Sequence, residues 1–198
     1  MKTEKDWMEF LLKSENLDCA LEVGSHYAAL KHAVHNDLYA RLQTGLEAHL
    51  KKCSALNEWA IDRDDAAQKW ASVMIQPRSH PDECPGVYVR LERCDVKPPM
   101  MVLGVGTHTG LAALGTKQAQ PLIDAMEARD FSRTNKGWVR LRRMEYYPDD
   151  HEFCVDTMAS PRIEQELLAA MCDVFDAFRD LMERINKAEA ARFKSKGR

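Results

Sequence analysis

The chain has 198 residues, of which 45% are hydrophobic, and 28 lysines and arginines against 31 acidic residues give a formal net charge of -3. This profile is typical of one globular domain and excludes an intrinsically disordered chain. No apolar run reaches the roughly 18 residues that a transmembrane helix requires, which excludes a membrane span. Acidic residues at Glu4 and Asp6 argue against a targeting peptide, so we expect a cytoplasmic protein.

The first quarter of the chain predicts two helices. Apolar residues at helical spacing indicate a short amphipathic helix over residues 5–21, and Gly24 then interrupts the pattern. Ser25 is a suitable N-cap for a second, long helix that extends to Lys52. The apolar residues of this helix form one ridge: Tyr27, Leu30, Val34, Leu38, Leu42, Leu46 and Leu50. Such a ridge belongs either to the core or to a docking surface.

The middle of the chain predicts a sheet. Short segments rich in Val, Tyr, Trp and Met, bounded by Pro and Gly, indicate strands over residues 70–75, 86–94, 100–105 and 138–144. Hydrophobic and polar side chains alternate along the second segment, where Val87, Val89 and Leu91 are separated by Tyr88, Arg90 and Glu92. This alternation is typical of an antiparallel sheet with one solvated face.

Two more helices complete the predicted fold, over residues 116–129 and from Pro161 to Lys187. The last helix carries a nearly heptad stripe of apolar residues: Ile163, Leu167, Met171, Val174, Phe178, Leu181 and Ile185. We therefore predict a single α+β domain over residues 1–198, with a mostly antiparallel sheet of about four or five strands and long amphipathic helices at both ends of the chain. The basic residues 188–198 are expected to form a short flexible tail.

A glycine-rich segment, Gly104 to Gly110, follows an apolar strand, as a nucleotide-binding loop would. Asp124 lies 20 residues after Gly104, near the position of a ribose-binding acid. The surroundings favour an ordinary turn, because Asp124 falls in a predicted helix and not at the end of a parallel strand. Whether the segment binds a nucleotide stays open, and we predict no cofactor.

Several patterns of acidic residues, histidines and cysteines share residue types with metal or nuclease sites, but not their spacing or structural context. Asp82, Asp95 and Lys97 have the order found in metal-dependent nucleases, but prolines beside them favour a loop and a chance match. Two further sets lack the spacing of a zinc site: His80, Cys84 and Cys94; His32, His35 and Asp37. The six cysteines include no Cys-x-x-Cys pair, so we predict reduced thiols and no metal.

The most basic strand, residues 136–147, interleaves aromatic and basic residues as a phosphate- and base-binding surface would. Its candidate binding residues, for a protein partner or a nucleic acid, are Trp138, Arg140, Arg142, Arg143 and Tyr146. Strict alternation would place Trp138, Arg140 and Arg142 on one face. The alternative interpretation is that this row neutralises the acids of residues 149–156 within the fold, and the acidic overall charge favours it.

The function that these observations favour is a non-catalytic protein-interaction module: an adaptor, regulatory subunit or inhibitor, as found in mobile-element and defence systems. The two amphipathic helices and the segregated charges support a protein partner, with a homodimer through helix 161–187 as one form. The alternative is a nucleic-acid- or nucleoprotein-binding protein that uses strand 136–147, on a degenerate nuclease-like core. We predict no catalytic residues and no membrane contact.

Overall fold

The computed structural model describes residues 4–66, 68, 70–78, 86–94, 99–110, 112, 114, 116–135, 137–148 and 150–196. It is an α+β structure, as predicted, in which helices lie at both ends of the chain. The helices are α1 (Glu4–Leu11), α2 (Ser14–Lys52), α3 (Thr116–Glu127), α4 (His151–Ala159) and α5 (Arg162–Lys196). The strands are β1 (Trp59–Arg63), β2 (Ser72–Pro77), β3 (Val87–Cys94), β4 (Met100–Thr107), β5 (Arg133–Asn135) and β6 (Trp138–Arg143).

The six strands form one sheet in the order β1-β2-β3-β4-β6-β5, and every neighbouring pair is antiparallel. The antiparallel prediction is confirmed, but the sheet has one or two strands more than expected. The two strands that the sequence did not predict are the edge strands β1 and β5. The alternation of hydrophobic and polar residues is weak in these edge strands, because β1 buries only its first residue, Trp59, and β5 has only three residues.

The core lies between one face of the sheet and the helices. Side chains of the inner strands, such as Val89, Leu103 and Val105, are fully buried there, together with the second half of α2 and the inner face of α5. Helices α2 and α5 run side by side in the same direction, since Arg41 pairs with Glu164 (Nη1 to Oε2, 2.7 Å) and His49 contacts Asp176 further along both helices.

The apolar stripe of the last helix is part of this core. All of its residues are buried except Leu181, which is partly buried and packs against the same cluster. The stripe therefore packs within the chain. The homodimer through helix 161–187 stays a prediction from the sequence. Burial of this kind supplies most of the stability of a long amphipathic helix.

Several helix boundaries differ from the prediction, the largest differences being near the start of the chain. Helix α2 begins at Ser14 and continues through Gly24 and Ser25, so the predicted interruption there is wrong. The break lies at residues 12 and 13, where Asn16 Nδ2 donates a hydrogen bond of 2.8 Å to the carbonyl of Phe10 and closes the turn. Helix α4 was not predicted.

At the other end of the chain, α5 begins directly after Pro161 and continues to Lys196. Residues 188–196, predicted as a flexible tail, are therefore helical. Glu189 explains part of this extension, because it is only 1% exposed and pairs with Arg192 (Oε2 to Nη2, 2.8 Å).

Candidate interaction surfaces

The basic strand β6 does not alternate as the sequence suggested. Its register against β4 shifts between Val105 and Gly106, and this irregularity changes which side chains share a face. Arg140 and Arg142 turn towards the helices, whereas Trp138 lies on the opposite face of the sheet, which we call the open face. The predicted row of Trp138, Arg140 and Arg142 on one face is therefore wrong.

Both inward arginines are engaged within the fold. Arg140 donates from Nε to Glu127 Oε1 on α3 (2.9 Å), so its charge is balanced by α3 and not by the acids of residues 149–156. The guanidinium of Arg142 lies 4.8 Å from the centre of the Phe131 ring in a cation–π contact. These contacts join β6 to α3 and to the loop before β5.

The other three predicted binding residues lie apart from these arginines. The Tyr146 hydroxyl donates to a carboxylate oxygen of Glu166 on α5, and burial together with this carboxylate raises the pKa of Tyr146 to about 12. Trp138 is only 3% exposed, while Arg143 is exposed at the end of β6. The structure thus brings Trp138 and Arg143 to the open face and places Tyr146 against α5.

The open face carries a second, smaller apolar cluster. It consists of Met100, Val102, Trp138 and Leu141, which are all buried, and Cys94 packs against it. A cavity of about 180 Å³ adjoins this cluster. Its lining also includes polar residues from three strands, among them Glu92, Arg133 and Arg143. No sequence pattern indicated this cavity, because its residues come from β3, β4, β5 and β6 and meet only through the sheet register.

Exposed apolar side chains are concentrated near the N-terminal end of the described chain. We call residues 4–31, which comprise α1 and the first half of α2, the N-terminal arm. Most of the exposed large hydrophobic side chains among the described residues lie on it: Met8, Phe10, Leu12, Leu21, Val23, Tyr27 and Leu30. Leu21 and Val23 are each 63% exposed. Several exposed apolar side chains on one segment are typical of an interaction surface.

A groove lies between the two helices of the arm. Its cavity of about 460 Å³ is lined mainly by apolar or small side chains, and one wall is formed by Phe10 and Leu11 of α1. The opposite wall comes from α2 and includes Val23 and Tyr27. The groove runs between two helices, which is the arrangement that accepts a third amphipathic helix.

The arm is also acidic. Residues 4–31 contain three lysines, at positions 5, 13 and 31, against six acidic side chains at positions 4, 6, 9, 15, 18 and 22. This charge was readable from the sequence, but the exposure of the apolar residues was not. The same ridge is buried from Val34 onwards and exposed before it.

The glycine-rich segment is explained by packing. A Cβ atom on Gly104 would lie 2.2 Å from the carbonyl oxygen of Arg140, and one on Gly106 would lie 3.0 Å from the Tyr88 ring. Gly110 has a φ of +83°, which favours glycine in a turn. Strand β4 has only antiparallel neighbours, so the parallel strand pair of a dinucleotide-binding fold is not formed here.

The metal-like patterns gain no support from the part of the chain that the structure describes. Asp82, Asp95, Lys97, His80 and Cys84 lie outside the described residues. His35 is buried and its Nε2 hydrogen-bonds the carbonyl of Pro148 (2.8 Å), a structural role. Three side chains that the sequence did not group, His49, Cys53 and Asp176, place their ligand atoms within 4.8 Å of one another. The hydrogen bond of 2.9 Å from His49 to Asp176 joins α2 to α5 and accounts for this grouping.

Comparisons with protein-family models, with curated proteins and with solved structures find no match to this chain. Among the described residues, no helix combines the length and the apolar character needed to cross a membrane.

Proposed function

We propose that the protein is a non-catalytic interaction module, an adaptor, regulatory subunit or inhibitor, that binds a partner protein through the N-terminal arm. The exposed apolar side chains of the arm are the observation that carries this proposal. Leu21, Val23 and Leu30 are each at least 60% exposed, although they belong to a helix that is buried along one face in its second half. Covering such side chains contributes about 1.5–3 kcal/mol for each one buried.

The chemistry of the arm defines the partner segment. Six acidic side chains against three lysines disfavour pairing of the arm with the same arm of a second copy. A basic amphipathic helix complements both the charge and the apolar groove between α1 and α2. Its apolar residues would fill the groove lined by Phe10, Val23 and Tyr27, and its basic residues would be attracted by the acidic side chains of the arm.

The test is an affinity capture from host lysate with the tagged protein, followed by binding of the purified partner. The arm variant L21S/V23S removes two exposed apolar side chains. The matched control, V155S/M158S, removes two exposed apolar side chains from α4, outside the arm. We expect the partner to stay bound to the tagged protein at high salt and after nuclease treatment. Its affinity for the arm variant should be at least about tenfold lower than for the unmodified chain, whereas its affinity for the control should be unchanged.

Two results would contradict the proposal. One is equal binding of the partner to the arm variant and to the control. The other is light scattering that shows a dimer for the unmodified chain and a monomer for L21S/V23S, which would identify a second copy as the occupant of the arm. A cytoplasmic location and a role in mobile-element or defence systems stay predictions from the sequence.

Nucleic-acid binding is the second candidate, and the open face is the observation that favours it. Arg143 and Trp138 lie there, but Arg140 and Arg142 do not. Reversing the charge of Arg140 would break its pair with Glu127, so R143E alone is the informative variant. Retention of nucleic acid at low salt, its loss at high salt and its loss in R143E would support this function.

A further inference from the structure

We propose that the cavity on the open face binds the base of a nucleotide, with Arg133 and Arg143 at its mouth holding the phosphate. This site is separate from the N-terminal arm and independent of it, but it rests on the second candidate function, because it uses Trp138 and Arg143 of the same open face. An apolar wall, a buried acceptor and two exposed arginines meet here through the register of the sheet.

The apolar wall of the cavity has Trp138 as its largest side chain. Trp138 is 3% exposed, and Met100, Val102 and Leu141 continue the wall across β4 and β6. Arg90 lies over the indole, with its guanidinium carbon 5.6 Å from the ring centre, and holds the Trp138 ring in place. A base presents an aromatic face that contacts such a wall without regard to its identity.

The buried acceptor is Glu92, which lines the same cavity and is 6% exposed. One of its carboxylate oxygens, Oε2, forms an ion pair with Arg90. A buried carboxyl group in the lining of this cavity suits a ligand that donates hydrogen bonds, such as the exocyclic amine of a base. Burial raises the pKa of Glu92 above its usual range, and the positive charge of Arg90 opposes this effect.

The two arginines at the mouth differ from the inward pair on β6. Arg133 and Arg143 are exposed, and neither forms an ion pair with an acid in the described part of the chain. Arg133 lies opposite Leu141 in the register of β5 and β6, and Arg143 lies two residues beyond Leu141 on β6. Paired guanidinium groups of this kind suit phosphate, which they bind with several hydrogen bonds.

The size of the cavity decides which part of the ligand enters. Its volume of about 180 Å³ is below the roughly 300–1,000 Å³ of sites that enclose a whole drug-sized molecule. One ring system fits inside, and a sugar phosphate stays at the mouth with the arginines. The ligand is therefore a nucleoside monophosphate or a terminal nucleotide of a single strand, two sources that share this chemistry.

The first measurement is calorimetric titration of the full chain with two matched ligand pairs, CMP against UMP and AMP against IMP. The members of each pair differ in the exocyclic group, which is an amine that can donate a hydrogen bond to Glu92 in CMP and AMP and a carbonyl that cannot in UMP and IMP. We expect at least one amine-bearing ligand to bind about fivefold or more tightly than its carbonyl counterpart. E92Q should reduce this preference at least about threefold, because the amide oxygen is a weaker acceptor and the amide nitrogen can donate to the carbonyl ligands. Cytidine or adenosine without phosphate should bind at least about tenfold more weakly than the nucleotide.

The second measurement uses variants in which exposed residues are substituted, and we expect these substitutions to leave the fold intact. R133A/R143A should weaken nucleotide binding at least about tenfold and leave nucleoside binding unchanged. R184A, which removes an exposed arginine from α5, is the control and should bind as the unmodified chain does. A 5′-phosphorylated tetranucleotide that binds where the mononucleotides do not would identify a strand end as the source. Absence of binding by every ligand, or equal binding in R133A/R143A, would overturn the proposal.

Discussion

The two halves of α2 have the same apolar spacing but opposite surroundings. From Val34 to Leu50 the ridge is buried against the sheet and α5, whereas Tyr27 and Leu30, which continue the same ridge, are exposed. Both halves are helical, so the helix extends beyond the surface that stabilises it. The comparison shows that periodicity identifies an apolar face, but the length of the neighbouring layer decides how much of that face is covered.

The largest expected difference between the halves is in stability. L46A removes a side chain that is fully buried, and we expect the free energy of unfolding to fall by about 2–5 kcal/mol. L21A makes the same chemical change at a side chain that is 63% exposed, and its effect should stay within about 0.5 kcal/mol. Urea unfolding followed by circular dichroism measures both. A comparable loss in L21A would mean that the arm packs against the rest of the chain.

Thiol reactivity gives the next largest difference. Cys19 is exposed on the arm, whereas burial raises the pKa of Cys172 on α5 to about 11. Because the thiolate is the reactive form, we expect Cys19 to be alkylated first at pH 8. Modification of Cys172 should speed up by about tenfold per pH unit as the pH rises towards its pKa, since each unit forms about ten times more thiolate.

Peptide mass spectrometry after brief labelling assigns each site, and C19S identifies the fast phase. Cys19 also lines the groove of the arm, so a bound partner should protect it and leave the rate at Cys172 unchanged. Rapid labelling of Cys172 at pH 8 would show that the packing of α2 against α5 opens readily. Unchanged labelling of Cys19 in the presence of a partner would place the contact elsewhere.

Two glycines, one in each half of α2, allow the packing of the two halves to be compared directly. A Cβ atom on Gly24, in the arm, would meet no atom within 4 Å, whereas one on Gly45 would lie 2.6 Å from Leu168 Cδ2 on α5. Both alanine variants gain helix propensity of about 1 kcal/mol, but overpacking opposes this gain only at Gly45, by about 1–3 kcal/mol. We expect G45A to be at least about 1 kcal/mol less stable than G24A in urea unfolding. Equal stability would show that the contact between α2 and α5 adapts freely.

Sequence patterns predicted the parts of the fold in which local propensity and tertiary packing agree. The inner strands and the stripe of α5 are of this kind, because alternation or helical spacing coincides with burial in one core. The edge strand β1 and the short helix α4 were missed, since each buries few side chains.

The candidate sites were harder to predict, for two physical reasons. The shift in register beside Gly106 separates Trp138 from Arg140 and Arg142, and nothing in the local sequence of β6 encodes a shift that also depends on β4. The cavity near Glu92 joins residues that are distant in the chain. For the arm, the apolar ridge and the acidic charge were both readable, but the absence of a covering element is a property of the tertiary structure.

The smallest expected effect concerns Ser25, which the sequence indicated as the N-cap of a separate helix. In the structure Ser25 lies inside α2, and its hydroxyl donates to the carbonyl of Glu22 (2.7 Å). Removing an N-cap costs about 1 kcal/mol, whereas replacing an exposed serine inside a helix by alanine gains a few tenths. We therefore expect S25A to slow hydrogen exchange in the arm slightly. Faster exchange across residues 25–33 would restore a helix start at Ser25, and α2 would then be divided at Gly24 and not continue through it.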